Sequence, residues 1–504
     1  MRVSTLAAGI ALAGCLLTSL DARGQDVSRD ELSAIRAKLE RQEAELRSLR
    51  TQLEAQHPQP LPPIARSMPV ARYANASTAA LESPESVDKR IKAIEKQLAK
   101  DADAAKKKKK EDATKPVVKP RGRLHADVSW FDQSDTNEAT VGDIQDGAYF
   151  RRARLGMDAK AFEVTEYRLD FEMGAGGGRP SIFDAYGRVT ELPYAGNVQI
   201  GHFREPFSLE AQTSSNWLTF IERASNTVFD PSRNFGVMAF DHSEDYGFTW
   251  AGGVFREGSD LFGDDIGDSG ERAATGRLTW LPYYDEPSDG RYFLHFGGAY
   301  SYCDPDHLNP GGVEIPIVGY SGRPPVNTRE DGVGGVPAFV STGNISDANH
   351  LQLAGAEASL VWGSFNIQSE YVGSFVDRSG AADADFDSAY IFCSYFLTGE
   401  HRVYNRGLGT YDKQEVYEPF FRVWTDRGTC TGSGAWEVAL RWDYLNLNSG
   451  TIQGGYLDNV TFGVNWYLNA YVRLMFNYIY TDLHDPVDGR SDANTFLTRM
   501  SVFF

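Results

Sequence analysis

The chain has 504 residues, 12% of them aromatic, with 49 glycines and a formal net charge of −19. No 18-residue apolar run follows the first 20 residues, which excludes a membrane-spanning helix in the processed chain. It does not exclude a barrel, whose strands show lipid only every second side chain.

The first 20 residues carry Arg2 and then an apolar stretch from Leu6 to Leu17, followed by Ala22, Arg23 and Gly24. This pattern predicts a secretory signal over 1–24. Leu12, Ala13, Gly14 and Cys15 offer a second reading as a lipoprotein site, ranked lower because the apolar segment continues through Leu16 and Leu17. Residues 25–56 carry Leu32, Leu39, Leu46 and Leu53 every seven positions, with Ile35, Gln42, Leu49 and Gln56 three positions after each. That is the apolar seam of a coiled coil, with two glutamines that weaken it or fix its register. A Pro-rich linker over 57–86 cannot continue the helix. Over 87–120 a shorter seam through Val87, Ile91, Ile94 and Leu98 leads into five lysines, 106–110. The lysines read either as a solvated linker or as a contact with an anionic surface, such as lipid head groups or the cell-wall polymer. Nucleic acid is a poor partner for an exported chain.

Charge changes sign near residue 120. Of the 50 Lys+Arg and 69 Asp+Glu, 22 and 16 fall within 1–120, leaving 28 and 53 beyond it, where Lys160 and Lys413 are the only lysines. Residues 121–504, divided over about 16 strands, leave roughly enough per strand for one lipid crossing and one connection. The expected fold is therefore all-β: a 16-stranded antiparallel transmembrane β-barrel with an N-terminal α-helical coiled-coil extension.

The strands show themselves by alternation. Leu124, Ala126, Val128 and Trp130 alternate with Arg123, His125, Asp127 and Ser129. With the apolar parity toward lipid, Arg152 and Arg154 point inward, Arg168 opposes Leu169, and Asp184, Tyr186 and Arg188 share the polar face. At the other end, Trp436, Val438, Leu440, Trp442 and Tyr444 make one face with Arg441 opposite. Val472, Leu474 and Phe476 then oppose Arg473, and Phe496, Met500, Val502 and the closing Phe504 leave Arg499 inward. Tyr246, Phe248 and Trp250, and Tyr292, Leu294 and Phe296, mark later strands whose inward partners are mostly small; 300–350 and 375–425 assign no single strands. Because a barrel pairs its first and last strands, Arg152, Arg154 and Arg168 are expected near Arg441, Arg473 and Arg499. Guanidinium groups around a watery lumen attract anions, while acidic partners turn the same wall into one satisfied in charge. Both readings stand at this point.

The blocks 150–156, 201–210, 219–223 and 233–237 resemble the phosphate-selective porin O and P family in order and spacing, over roughly 120–260. The resemblance implies a trimer and passive uptake of small anions, phosphate or polyphosphate-like, through a narrowed, arginine-lined channel. It places Arg204, beside Glu205 and Pro206, at an inward-loop element, and Arg223 and Arg233 on the constriction side. The candidate pore-lining, anion-binding set is thus Arg152, Arg154, Arg168, Arg188, Arg204, Arg223, Arg233, Arg441, Arg473 and Arg499. Family members selective for phosphate also use lysines near the narrowest point, and here lysine is nearly absent.

An enzyme is not expected, and no metal or cofactor. Residues 174–178, Gly-Ala-Gly-Gly-Gly, lack a following Gly-Lys-Ser and read as a turn; His242 and His307 have no zinc-site spacing, and no serine has a nucleophile-elbow context. Cys303, Cys393 and Cys430 allow one disulfide and one leftover thiol, with three pairings open. The expected partners are small anionic solutes, outer-membrane lipid, two further copies of the chain in a homotrimer, and the cell wall through the N-terminal region. The alternatives are a general or weakly cation-preferring porin, or a barrel whose work is to tether the envelope.

Overall fold

A computed structural model of the chain describes residues 115–504 apart from 175–179, 258–271, 306, 309–313, 316, 328–334, 422 and 426–427. The expected signal, coiled coil, Pro-rich linker and lysine run lie outside the described residues.

Sixteen antiparallel strands close into one barrel. They are β1 (Val117–Gln133), β2 (Gly147–Ala161), β3 (Thr165–Glu172), β4 (Ser181–Leu192), β5 (Gly196–Arg204), β6 (Arg233–His242), β7 (Phe248–Arg256), β8 (Arg272–Tyr284) and β9 (Tyr292–Asp304). The circle continues with β10 (Ala348–Trp362), β11 (Phe365–Arg378), β12 (Ala384–Phe396), β13 (Ala435–Ser449), β14 (Ile452–Asn469), β15 (Val472–Asp485) and β16 (Gly489–Phe503). Each strand pairs with its sequence neighbour, and β1 closes against β16 in a register running from Arg123↔Phe503 to Gln133↔Ala493. Closure leaves no unpaired strand edge, the condition for a sheet to stand in lipid. Strand β12 lies within 375–425, where alternation alone assigns no strand, and β10 and β11 fill most of the stretch between that region and 300–350.

Alternation in the sequence becomes two faces. Trp130, Phe150, Leu155, Leu440, Trp442, Phe462, Phe476 and Phe496 are exposed on the outside, while Asp127, Glu437, Asp443, Asn477 and Thr495 are buried on the inside. Two bulges interrupt this near the first strands. His125 pairs with Arg152 but Ala126 with Phe150, so Arg151 is the extra residue in β2. Asp170 pairs with Asp184 but Phe171 with Ile182, so Phe183 is the extra residue in β4. A bulge re-aims side chains that alternation would send outward.

The chain enters β1 and leaves β16 at the same end as the connections 162–164, 193–195, 243–247, 285–291, 363–364 and 470–471. Short connections mark the periplasmic end of such a barrel. One connection there is long: residues 397–434, between β12 and β13. Segments 205–232 and 305–347 belong to the opposite end.

Much of the apolar core sits inside the barrel. Phe207, Ile221 and Phe229 from 205–232 join Tyr320, Phe339 and Ile345 from 305–347 against Leu445, Leu457, Met475, Ile479, Leu483 and Leu497 of β13–β16. Cys303 lies on β9 and Cys393 on β12, with two wall strands between them, so these two are not joined to each other.

Candidate functional site

Segment 205–232 turns into the lumen because the wall supplies side-chain partners for several of the backbone groups it brings inside. Its short helix α1 (Leu209–Gln212) starts at Ser208, and the amides of Leu209 and Glu210 donate to the Glu370 carboxylate on β11 at 3.0 and 2.7 Å. Further on, the Ile221 amide donates to Asn477, Asn465 donates to the Thr219 carbonyl at 2.7 Å, and Ser225 donates to Asp443. Buried backbone groups left unpaired would each cost a lost hydrogen bond, so these side chains hold the segment in place.

Three of the expected arginines serve this purpose. Arg473 donates to the Leu218 carbonyl at 2.7 Å, Arg441 to the Glu222 carbonyl at 3.0 Å, and Arg499 to the Ile221 carbonyl. Arg499 also makes a two-pronged pair with Asp127 at 2.7 Å and reaches Glu222 at 2.6 Å. None of the three is more than 2% exposed. They stand beneath the inward segment, where a dissolved ion does not reach them, rather than on the lumen surface where alternation alone would leave them.

The other seven line one cavity of about 840 Å³ between β1–β8 and the inward segment: Arg152, Arg154, Arg168, Arg188, Arg204, Arg223 and Arg233. Arg121, Arg123, Arg151 and Arg277 line it too, against the carboxylates Asp170, Glu172, Asp184 and Asp241. The expected meeting of the two arginine groups occurs only at Glu222, which accepts from Arg151 at 3.1 Å, from Arg152 at 3.5 Å and from Arg499. Arg168 lies away from that point, paired with Asp158 at 2.7 Å.

Arg168 spends two nitrogens on Asp158 and Arg188 all three on Gln199 and Glu166, whereas Arg154 and Arg233 spend one each and keep the rest toward the space. Arg154 Nε donates to Glu172 at 2.5 Å and Arg233 Nε to Asp184 at 2.9 Å, and neither terminal guanidinium pair has a hydrogen bond among the described residues. Arg223 instead caps the end of α1, donating to the carbonyls of Glu210 at 2.9 Å and Thr213 at 2.8 Å. Glu222 is pushed upward by burial, but Arg151, Arg152 and Arg499 outweigh this and hold its carboxylate well below the usual range. Asp230, whose carboxylate oxygens find no hydrogen-bond partner among the described residues, is pushed up by burial to about 7 against the pull of Arg204 and Arg223.

From the periplasmic end, 397–434 reaches up to the same cavity. Gly407, Leu408 and Thr410 line it, the Gly409 carbonyl accepts from Arg277 at 2.7 Å, and Tyr411 donates to Asn366 at 2.7 Å. Arg402 of this segment bonds Thr219 of the other, so the two inward segments meet.

Two features of this site escape a reading by alternation. The bulge at Arg151 turns both members of the Arg151, Arg152 doublet inward, and the doublet itself was the available sign. The second is the packing over β13–β16: Met475, Ile479, Leu483 and Leu497 occupy the inward parity, an apolar stripe that an open watery lumen would not carry.

Residues 118–504 match the family model for phosphate-selective porin O and P. The chain belongs to that family. This porin is 26% identical over 413 residues to Porin O of Pseudomonas aeruginosa, covering 76% of this chain and 87% of the relative. It is 25% identical over 488 residues to an uncharacterized protein of Caulobacter vibrioides, covering 94% and 90% of the two chains. Among solved structures, the anion-selective porin from Comamonas acidovorans is 12% identical, with a TM-score of 0.48, and covers 77% of this chain and 100% of that one. The channel DcaP of Acinetobacter baumannii is 10% identical, with a TM-score of 0.44 over 77% and 97% of the two chains. Family membership and the closed barrel make this an outer-membrane porin.

Proposed function

We propose that this porin passes small anions, phosphate or polyphosphate-like, by diffusion through the arginine-lined cavity. The observation that carries the reading is the balance at the cavity wall, where eleven arginines face four carboxylates, and it stays positive with Asp158, Glu166, Glu222 and Glu357, which pair with those arginines, added to the count. The barrel as a whole is strongly acidic, yet the field a solute meets is set by the charges within about a Debye length, ~8 Å at physiological salt. Terminal guanidinium nitrogens without protein partners suit an oxyanion, which accepts two parallel hydrogen bonds from one arginine. In this reading the barrel is a homotrimer in outer-membrane lipid, with its N-terminal extension in the periplasm against the cell wall; those parts rest on the resemblance and on the seams and lysine run of residues 25–120.

The test is the reversal potential of single channels in a salt gradient, followed by titration with inorganic phosphate. Anion-preferring current that phosphate blocks supports the proposal. A cation-signed potential supports instead the general or cation-preferring porin that the acidic remainder of the barrel suggests. Silence from a correctly folded barrel supports an envelope tether.

A further inference from the structure

Four of the cavity arginines, Arg154, Arg168, Arg188 and Arg233, lie against aromatic rings, and one ring is out of place. Phe183 is the extra residue of the β4 bulge, and both it and its neighbour Asp184 line the cavity, which unbroken alternation forbids. Arg154 Cζ lies 3.2 Å from the centroid of its ring and Arg233 Cζ lies 3.5 Å from it. Two guanidinium groups that close to one centroid stand on opposite faces, because on a single face they would overlap.

We propose that Phe183 is a positioning residue that sets the arginine spacing of the cavity, its ring holding Arg154 and Arg233 apart with their terminal nitrogens toward the permeating anion. The inference rests on the anion reading above. Each guanidinium is fixed on two sides: a face on the ring, and Nε on its own carboxylate, Glu172 for Arg154 and Asp184 for Arg233. Without the ring, two like charges at this distance repel and turn toward the nearest acids. With it, the ring's negative faces attract both cations at once, and the separation is set by the thickness of one aromatic ring. An oxyanion then meets two forks already in place and spends none of its binding on ordering them. A looser version of the pattern recurs nearby at Tyr186, whose ring centroid lies 5.6 Å from Arg168 Cζ and 5.3 Å from Arg188 Cζ.

The experiment uses the full chain in planar bilayers, with inorganic phosphate as the probe and a salt gradient for the reversal potential. Heat-resistant migration of the unboiled barrel reports folding. Phe183→Leu removes the π faces, and we expect it to raise the half-blocking phosphate concentration about fivefold and to move the reversal potential toward zero. Phe183→Trp keeps an aromatic face and should stay within about twofold of the unmodified porin. Phe183→Met takes the place of the leucine variant should that one not insert. Phosphate block by Phe183→Leu equal to that of the unmodified porin, while Arg154→Gln weakens it, overturns this inference and leaves the anion reading standing. So does a tryptophan variant as weak as the leucine variant when both barrels are folded, since the ring is then mere filling. A cation-signed potential in the unmodified porin overturns both.

Discussion

Two walls of the same barrel carry arginines on the same inward parity and use them for opposite purposes. On β2–β6, Arg154 and Arg233 are paired at one nitrogen and open to the cavity at the others, while Arg168 and Arg188 line the same cavity with two and three nitrogens paired to the wall. On β13, β15 and β16, Arg441, Arg473 and Arg499 are spent on the carbonyls of segment 205–232 and see no solvent. What separates the two groups is the cover. The inward segment lies against the second wall, where Met475, Ile479 and Leu483 give it an apolar bed, and away from the first. An arginine's role in a barrel is therefore decided by what folds over it, and the comparison can be broken from either side.

The largest effect should come from the covered wall. Arg499→Gln removes the cation of Asp127 and leaves that buried carboxylate uncompensated, while Glu222 keeps Arg151 and Arg152, a loss of about 3–5 kcal/mol. We expect a lower melting temperature for the heat-resistant barrel, together with larger and noisier channels as the segment comes loose. Unchanged conductance at an unchanged melting temperature would mean that the segment is held by its apolar contacts alone.

How much of this could be read beforehand follows from the same contrast. The barrel, the lipid face and the inward parity of Arg152, Arg154, Arg168, Arg188, Arg441, Arg473 and Arg499 follow from side-chain alternation, which is a local property, whereas Arg204, Arg223 and Arg233 come from the family resemblance. The division of the arginines does not, because it depends on contacts such as Arg473 with Leu218, some 255 residues apart in sequence. Strict parity also fails at the two bulges, so Arg151 and Phe183 reach the lumen against the count. The overall acid excess misleads for another reason: it averages acidic outer connections, such as 257–271 with six Asp and Glu and no Lys or Arg, with a cavity whose charge is of opposite sign.

The open wall should respond more in selectivity than in stability, although Glu172 and Asp184 lose their cations there. Arg154→Gln with Arg233→Gln takes two charges from the cavity edge while the inward segment keeps its anchors. A unit charge about 8 Å from the ion at an effective dielectric constant of about 40 is worth on the order of 1 kcal/mol, so each loss should cut the anion-to-cation permeability ratio about fivefold. Bi-ionic reversal potentials measure it, and a melting temperature that falls as far as that of Arg499→Gln would erase the distinction between the walls.

Glu222 belongs to both walls, and Glu222→Gln sharpens where they meet. Releasing Arg151 and Arg152 adds one positive charge beside the cavity, so anion preference should rise, by roughly twofold to fivefold, as stability drops. Because the arginines depress this carboxylate's pKa in the folded barrel, its contribution to stability is whole above its ordinary value of 4.5 and is lost as pH falls below that. An acid melting series should show the loss in the unmodified porin and not in the variant.

The smallest effect separates a charge that is fixed from one that titrates. Asp230 stands near Arg204 and Arg223 on the open side, and its pKa is raised by burial to about 7, with Glu210 and Glu357 pushing the same way. Below that pH it is neutral and the two arginines act undiluted; above it, one negative charge offsets them. Anion preference should therefore rise by about twofold as pH falls from about 8 to 6, the size expected of one screened charge at roughly 10 Å. Linkage runs in step: folding holds the proton more tightly than the unfolded chain does, so stability declines as pH climbs from 3.8 to about 7. Asp230→Asn should fix selectivity at its low-pH level across the range. A variant that keeps the full pH slope would move the titrating group to the acidic outer loops, and the cavity's charge would then be constant throughout the physiological range.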